Sequence, residues 1–270
     1  MGQSSNYQSL QVSLNKRLSN GLAFTSALTW GKGMGYIANT GPAGSPDDGG
    51  LLFWINPRRN YAPLDFDRTV NFEQTFTYQL PFGRGHSMFN SRLGDAVLGG
   101  WQLSGILSFL TGLPFTVQTN GANINTPGTV QTGQLTGAYR TTHQVGGGSN
   151  HWFDPTAFST PSGCPAAPTV CTAQNVGVGN TGRNQFRGPG YVQNNFSIFK
   201  SFNLYRETSL QIRFDAMQLT NTPQFANPTS NNCCTASNFG QVTGTLGSGQ
   251  GAVNSIGGGR TLQASVKFMF

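Results

Sequence analysis

Three histidines, His86, His143 and His151, and four cysteines, Cys164, Cys171, Cys233 and Cys234, are the side chains of this 270-residue chain best suited to nucleophilic, acid–base or metal chemistry. No Gly-x-Ser-x-Gly nucleophile motif lies near His143 or His151, and His86 falls in a connector between strand-like segments. The sequence therefore predicts no enzyme and assigns no catalytic residue, the enzymatic alternative being a barrel hydrolase with Ser, His and acid on its outer rim. No His or further Cys stands at zinc-ligand spacing from the cysteines, so neither a metal nor another cofactor is expected. A loop disulfide from Cys164 to Cys171 is the reading preferred, and it would fit an oxidising, exported location. Pairing of Cys233 with Cys234 stays open. Asp47 and Asp48 form an acidic cluster that lacks the Asp-x-Asp-x-Asn-Gly spacing of a dedicated calcium loop, so a solvated loop is expected there.

Composition narrows the class. The chain is 9% charged and 36% hydrophobic, with 37 Gly and 20 Phe, and its 16 Lys plus Arg against 9 Asp plus Glu give a net charge of +7. Soluble domains carry about 25% charged residues, so the groups that normally coat a water-facing surface are scarce. No window approaches the roughly 18 apolar residues of a membrane-crossing helix, so any membrane would have to be crossed by strands. The cations are scattered and form no stripe able to track phosphates, which argues against nucleic acid as a partner. Residues 1–6 show no basic segment followed by an apolar one. The expectation is a chain that is not exported or one that is the carboxy-terminal part of a longer protein.

The elements that must position any site read as strands. In Leu262 to Phe270, Leu262, Ala264, Val266, Phe268 and Phe270 take one side while Gln263, Ser265 and Lys267 take the other, because side chains alternate along an extended chain. Six earlier segments behave alike, giving predicted strands at about 8–18, 22–30, 69–80, 101–110, 191–202, 208–219 and 261–270. Arg17, Glu73, Arg213, Asp215 and Lys267 all fall in the polar register, opposite Leu14, Phe72, Phe214 and Phe268. The last strand of a soluble sandwich would also alternate, so the connections must decide. Residues 31–68, 113–189 and 220–259 read as long loops rich in Gly, Pro, Asn and Thr, whereas 19–21 and 203–207 read as tight turns. Traced back from a periplasmic carboxy terminus, every long loop lies outside and both tight turns inside, which is the asymmetry of outer-membrane barrels. Trp30, Tyr78, Trp101, Phe202, Phe268 and Phe270 stand at strand ends, as interface girdles do, and Lys200 is expected to be the one cation facing lipid.

The residues also resemble a family. The segment from Asn6 to Leu22, Gln79-Leu80-Pro81-Phe82-Gly83, Gly99-Gly100-Trp101-Gln102-Leu103-Ser104-Gly105-Ile106, Phe153-Asp154-Pro155-Thr156-Ala157-Phe158, Gly179-Asn180-Thr181-Gly182-Arg183-Asn184 and Thr222-Pro223-Gln224-Phe225 are similar to the carboxy-terminal part of TonB-dependent outer-membrane receptors, and within them to the Oar-like group. This resemblance implies an all-β, antiparallel up-and-down transmembrane meander. It would be the last seven strands of a barrel of about 22, in the outer membrane of a Gram-negative bacterium. It further implies energised uptake of a ligand, whether siderophore, oligosaccharide or peptide, with TonB acting through a plug that this chain lacks.

Val266, Phe268 and Phe270 resemble the carboxy-terminal signal that the barrel-assembly machinery recognises, and Arg17, Glu73, Arg213, Asp215 and Lys267 are expected to face the lumen. Lipid, that machinery and an unknown ligand are the expected partners. The alternative from a different class is an adhesin or carbohydrate-binding surface protein, for which the Asn- and Thr-rich loops would be suited. Taken alone, the seven strands are expected to form a curved open sheet with unpaired first and last strands and disordered long loops.

Overall fold

The structure is a computed structural model that describes residues 4–36, 57–82, 98–119, 131–161, 179–205, 208–231, 233–234, 236–246 and 259–270. Strands β1 (Ser5–Ser19) and β2 (Leu22–Gly35) form a hairpin whose register runs from Ser5 opposite Gly35 to Lys16 opposite Phe24. Asn20 and Gly21 turn the chain with φ of 52° and 77°, the left-handed pair that a two-residue hairpin loop of this twist requires. Between Lys16 and Ser19 the register shifts, which places Arg17 inside an irregularity of β1. The remaining strands are β3 (Ala62–Pro63), β4 (Val70–Gln79), β5 (Trp101–Leu110), β6 (Pro114–Phe115), β7 (Gln118–Thr119), β8 (Gln131–Thr132), β9 (Gln134–Leu135), β10 (Phe158–Ser159), β11 (Phe186–Arg187), β12 (Tyr191–Tyr205), β13 (Thr208–Met217) and β14 (Thr261–Met269).

One eight-stranded sheet carries the long strands in the order β1-β2-β4-β5-β12-β13-β14, with β3 added to the end of β2. Every step along this path is antiparallel. Six such steps separate β1 from β14, so the two edge strands run in the same direction. The ladders lock side chains into two faces. Leu28, Phe72, Phe109 and Val192 follow one another across four strands, and Ile198, Phe214 and Ala264 continue that apolar face to the edge. Thr25, Thr75, Ile106 and Asn195 form a row of the opposite face, which Ser197, Asp215 and Gln263 extend. A slip of one residue anywhere would exchange the faces of a whole strand.

Burial is inverted relative to a water-soluble sheet protein. Every buried hydrophobic residue among those described lies in the connections or in β3, none in the long strands. Leu10, Val12, Val266 and Phe268 are each at least half exposed on the apolar face. A patch of this extent needs a nonaqueous neighbour.

Within the long connections expected at 31–68, 113–189 and 220–259, the described residues at one end of the sheet form a second layer. Residues 31–35 continue β2, and short pairs β6 with β11, β7 with β8 and β9 with β10 organise the chain beyond β5. Phe115, Phe153, Phe158, Phe186 and Phe239 gather with Trp152, Val117 and Val242 into one buried cluster. Phe153 with Phe239 at 5.3 Å and Phe158 with Phe186 at 5.4 Å meet edge-on, while Phe115 stacks on Phe153 at 5.8 Å. The loops fold because these aromatics, distant in sequence, offer each other a core that Gly- and Thr-rich composition does not advertise. At the opposite end, β12 runs on to Tyr205, into the segment 203–207 that reads as a turn.

The faces also correct one expectation about charge. Lys200 lies on the apolar face, opposite Ile212 and 4.9 Å from the Phe202 ring centroid, but it is not alone there. Lys16 opposite Phe24 and Lys32 opposite Gln8 belong to the same face, near the two ends of the hairpin. Both sit where a long side chain reaches the boundary of an apolar band. In a background with the four native cysteines replaced by serine, an environment-sensitive dye on Val266→Cys should be quenched by nitroxide-labelled acyl chains. The same dye on Ser265→Cys should not be, and equal quenching at both positions would refute the two-face register.

Candidate functional site

The end of the sheet that carries the long connections holds the richest polar chemistry. A one-turn helix, Pro57–Asn60, and the chain from Ala62 to Arg68 lie beside residues 179–187, which are more than a hundred positions away in sequence. Arg183 is buried, donates from Nε to the Asn60 carbonyl at 3.2 Å and from Nη2 to the Gly35 carbonyl at 2.8 Å, and faces Asp65 at 3.8 Å. Burial pulls its guanidinium pKa down and the Asp65 carboxylate raises it. Arg187 pairs with the Asp67 carboxylate and donates to the carbonyls of Asp67 at 2.9 Å and Gly112 at 3.0 Å. Asp67, only 2% exposed, also accepts the backbone N–H of Gly33 in β2 at 2.6 Å.

Neighbouring polar groups tighten this clasp. Arg59 donates to the carbonyls of Gly179 and Thr181, at 2.6 and 3.1 Å. Asn184, at a φ of 51° that asparagine tolerates, donates to the Pro63 carbonyl at 2.8 Å and to Asp65, and its N–H reaches Thr116 Oγ1 at 2.9 Å. Gly112 passes so close to Gly188 that a Cβ would lie 1.9 Å from its carbonyl oxygen. Only glycine fits there. Asp154 caps the short helix Pro155–Ala157 through the Thr156 N–H at 2.9 Å, and that side-chain and backbone bonding to Thr156 holds its carboxyl below the usual range. Gln224, 1% exposed, accepts from Val192 N–H at 2.9 Å and donates to Val192 C=O, standing in for a strand neighbour beyond the end of β13.

Three segments that drew notice in the sequence thus have structural employment. The residues 179–184 supply the clasp, the residues 153–158 supply Phe153 and Phe158 to the aromatic core with Asp154 as cap, and Gln224 completes the ladder of β12. Among the described residues no group of three or more His, Cys, Asp or Glu is placed to hold a metal ion. His143 meets Trp152 edge-on at 4.9 Å, and His151 Nδ1 lies 3.0 Å from the Ser149 carbonyl. Cys233 and Cys234 are joined to one another, Cys233 lying within the aromatic core. Cys164, Cys171, His86 and the Asp47-Asp48 cluster lie outside the described residues.

The polar face of the sheet is the other surface rich in polar side chains. Glu73, Arg213, Asp215 and Lys267 lie on it, tied together by the continuous register, while Arg17 stands within the irregularity of β1. Arg213 Nε donates to both Asp215 oxygens at 2.8 and 3.0 Å, and Nη2 donates to Ser197 Oγ at 3.0 Å. In its middle is a trough of about 390 Å³ whose wall includes Thr25, Thr75, Thr77, Ser104, Ile106 and Asn195, with Arg213 at one side and Lys16 and Phe24 closing the β1 end. Val266 and Phe268 lie on the apolar face of β14, opposite Ile212 and Leu210, and Phe270 stands fully exposed beyond it.

An apolar band of strands, a polar inner face and a layer of long connections at one end are the parts of a β-barrel that crosses an outer membrane. The family model described as Outer membrane beta barrel domain matches residues 1–263. The chain belongs to this family. No curated protein and no solved structure matches it. As an outer-membrane β-barrel protein of a Gram-negative bacterium it has its apolar face in lipid, and because such barrels have short periplasmic turns and longer extracellular loops, the clasp and its aromatic core form an extracellular cap.

Replacing Arg187 by methionine would leave the buried Asp67 carboxylate without its cation, at a cost on the order of 3 kcal/mol. In micelles, hydrogen exchange should quicken in residues 57–68 and 179–187 of Arg187→Met while the ladders of β12 and β13 keep their protection. Unchanged exchange in the cap would show that the clasp does not hold it.

Proposed function

We propose that this chain forms part of the wall and extracellular cap of a TonB-dependent receptor of the Oar-like group, which takes up a ligand across the outer membrane. The observation that carries this reading is the parallel orientation of the two edge strands. An up-and-down barrel closes through antiparallel pairs, so β1 and β14 cannot close on one another in that way and an odd number of further strands must stand between them. Where those further strands are many, as in a receptor barrel of about 22, the lumen is wide, as transport requires. The polar face is then the lumen wall, with Glu73, Arg213, Asp215, Lys267 and Arg17 directed into it, and no catalytic role is proposed for any residue. Energy would come from TonB acting on a plug inside the barrel.

Support also comes from where the resemblance falls. Two of the six segments similar to the receptors, residues 153–158 and 179–184, help to hold the cap together. An epitope inserted at the exposed Gly147 gives a test in native outer membranes. The tagged polypeptide should be reachable on whole cells and should cross-link to TonB within a barrel of more strands. A barrel closed by these strands alone, or one that never cross-links to TonB, would sink the receptor reading.

Insertion gives a second expectation. Val266, Phe268 and Phe270 are proposed as the signal read by the barrel-assembly machinery. Deleting Phe270 from the receptor should lower the amount of heat-modifiable barrel in the outer membrane several-fold. A packing role alone would leave that amount unchanged, because Phe270 projects beyond the last paired residue, Met269.

A further inference from the structure

We infer that the trough on the polar face is a subsite for a short, uncharged, polyhydroxylated ligand, an oligosaccharide in chemical class. The inference rests on the reading of that face as a lumen wall and names what would pass along it. Its wall presents Thr25, Thr75, Thr77 and Ser104, whose hydroxyls each donate and accept, and Asn195, whose amide oxygen accepts the Gln218 backbone N–H at 3.0 Å while its amide nitrogen is a further donor. A sugar hydroxyl also does both, so such a wall meets it without leaving either partner unsatisfied. A carboxylate or an ammonium, which can only accept or only donate, would leave half of these groups unmatched.

The charges near the trough are arranged to match. Although the chain carries a net charge of +7, Arg213 is engaged at the trough's side by both oxygens of Asp215 and by Ser197, and it lies 5.9 Å over the Phe199 ring. Lys16 stands at the far end, on a residue whose register places it with the apolar face. Lys16 and Arg213 are the two ionisable residues of its lining, and the rest is neutral.

An apolar floor completes the site. Ile106 is 49% exposed in the midst of this polar face, directly between Thr75 and Asn195 in the ladder. An isolated exposed isoleucine flanked by hydroxyl and amide groups suits the C–H face of a pyranose ring, which is apolar while its rim is polar. The volume of about 390 Å³ lies at the small end of ligand pockets, which run from roughly 300 to 1,000 Å³, so a few sugar units are the match.

The test uses the full chain in detergent micelles. Maltotriose, chitotriose and laminaritriose serve as neutral probes, trigalacturonate and trilysine as charged ones, with binding read by ligand-observed NMR and by fluorescence titration. At least one neutral trisaccharide should bind with millimolar or better affinity that is unchanged between 50 and 500 mM salt. Ile106→Asp should weaken it at least tenfold while leaving the strand signature in circular dichroism intact, and Ile106→Val, which keeps the floor, should retain it. Binding of none of the neutral probes, tighter binding of either charged one, or equal binding by Ile106→Asp would overturn the inference. Because no TonB is present, sugar binding without TonB cross-linking would defeat the receptor reading alone. Cross-linking without sugar binding would defeat only this inference.

Discussion

A peptide group that enters hydrocarbon without a hydrogen-bond partner costs several kcal/mol, and the rest of this structure follows from that. The long strands satisfy one another across six antiparallel ladders, so what remains to be chosen is which side chains face lipid and which face water. Alternation with a period of two makes that choice for a whole strand at once. The result is a sheet with its apolar side chains outward and exposed, and, among the described residues, a buried hydrophobic core that lies in the connections and β3. In a water-soluble domain the same strands would be stable only if a second layer covered them.

The displaced core explains why the loops are ordered where they are described. A layer above a membrane sheet is in water and obeys ordinary rules, so it gathers phenylalanines and buries its backbone groups against side-chain amides and guanidinium groups. It must also be fixed to the sheet, and here the fixing is ionic and local. Asp67 joins β2 through Gly33 and residue 187 through its guanidinium, while Arg183 reaches Gly35 at the tip of β2. These contacts make the first long connection and the second a single body. They hold the extracellular rim of β2, β5 and β12 at a fixed spacing, and therefore shape the mouth of the lumen.

Departures from simple alternation carry their own physical reasons. Gly105 stands on the apolar face with the rings of Phe76 and Phe196 folded toward it, so closely that a Cβ would meet Phe76 at 2.6 Å. The two rings cover the backbone that glycine leaves bare. Lys16 and Lys32 interrupt the apolar face only near the ends of the hairpin, where an ammonium reaches headgroups or water while its methylenes stay in the apolar band. Ser26 and Gln74, a cross-strand pair on that same face, bond to each other and so enter lipid with their polar atoms occupied.

The sequence by itself determined the long strands, because an extended chain between lipid and water has to alternate and its pattern is written locally. Of the seven long strands, Trp101–Leu110 was legible to the residue and the others to within five positions, whereas the short strands β3 and β6 to β11 fall in segments that read as loops; the polar register of Glu73, Arg213, Asp215 and Lys267 was legible in the same way as the long strands. Lys16 was legible too, being in step with Leu14, but charge there reads as a surface position unless the ladder is counted through. What the sequence could not show was the cap. Arg183 and Asp65, or Arg187 and Asp67, lie about 120 positions apart, and no periodicity links them. The loop composition signals turns and solvent, whereas the phenylalanines spread among those turns find one another only when the strands beneath bring the connections to the same end of the sheet. Tertiary structure decided the clasp, the Gln224 stand-in and the trough. Each depends on groups that the chain's fold, and not its local pattern, places within hydrogen-bond distance.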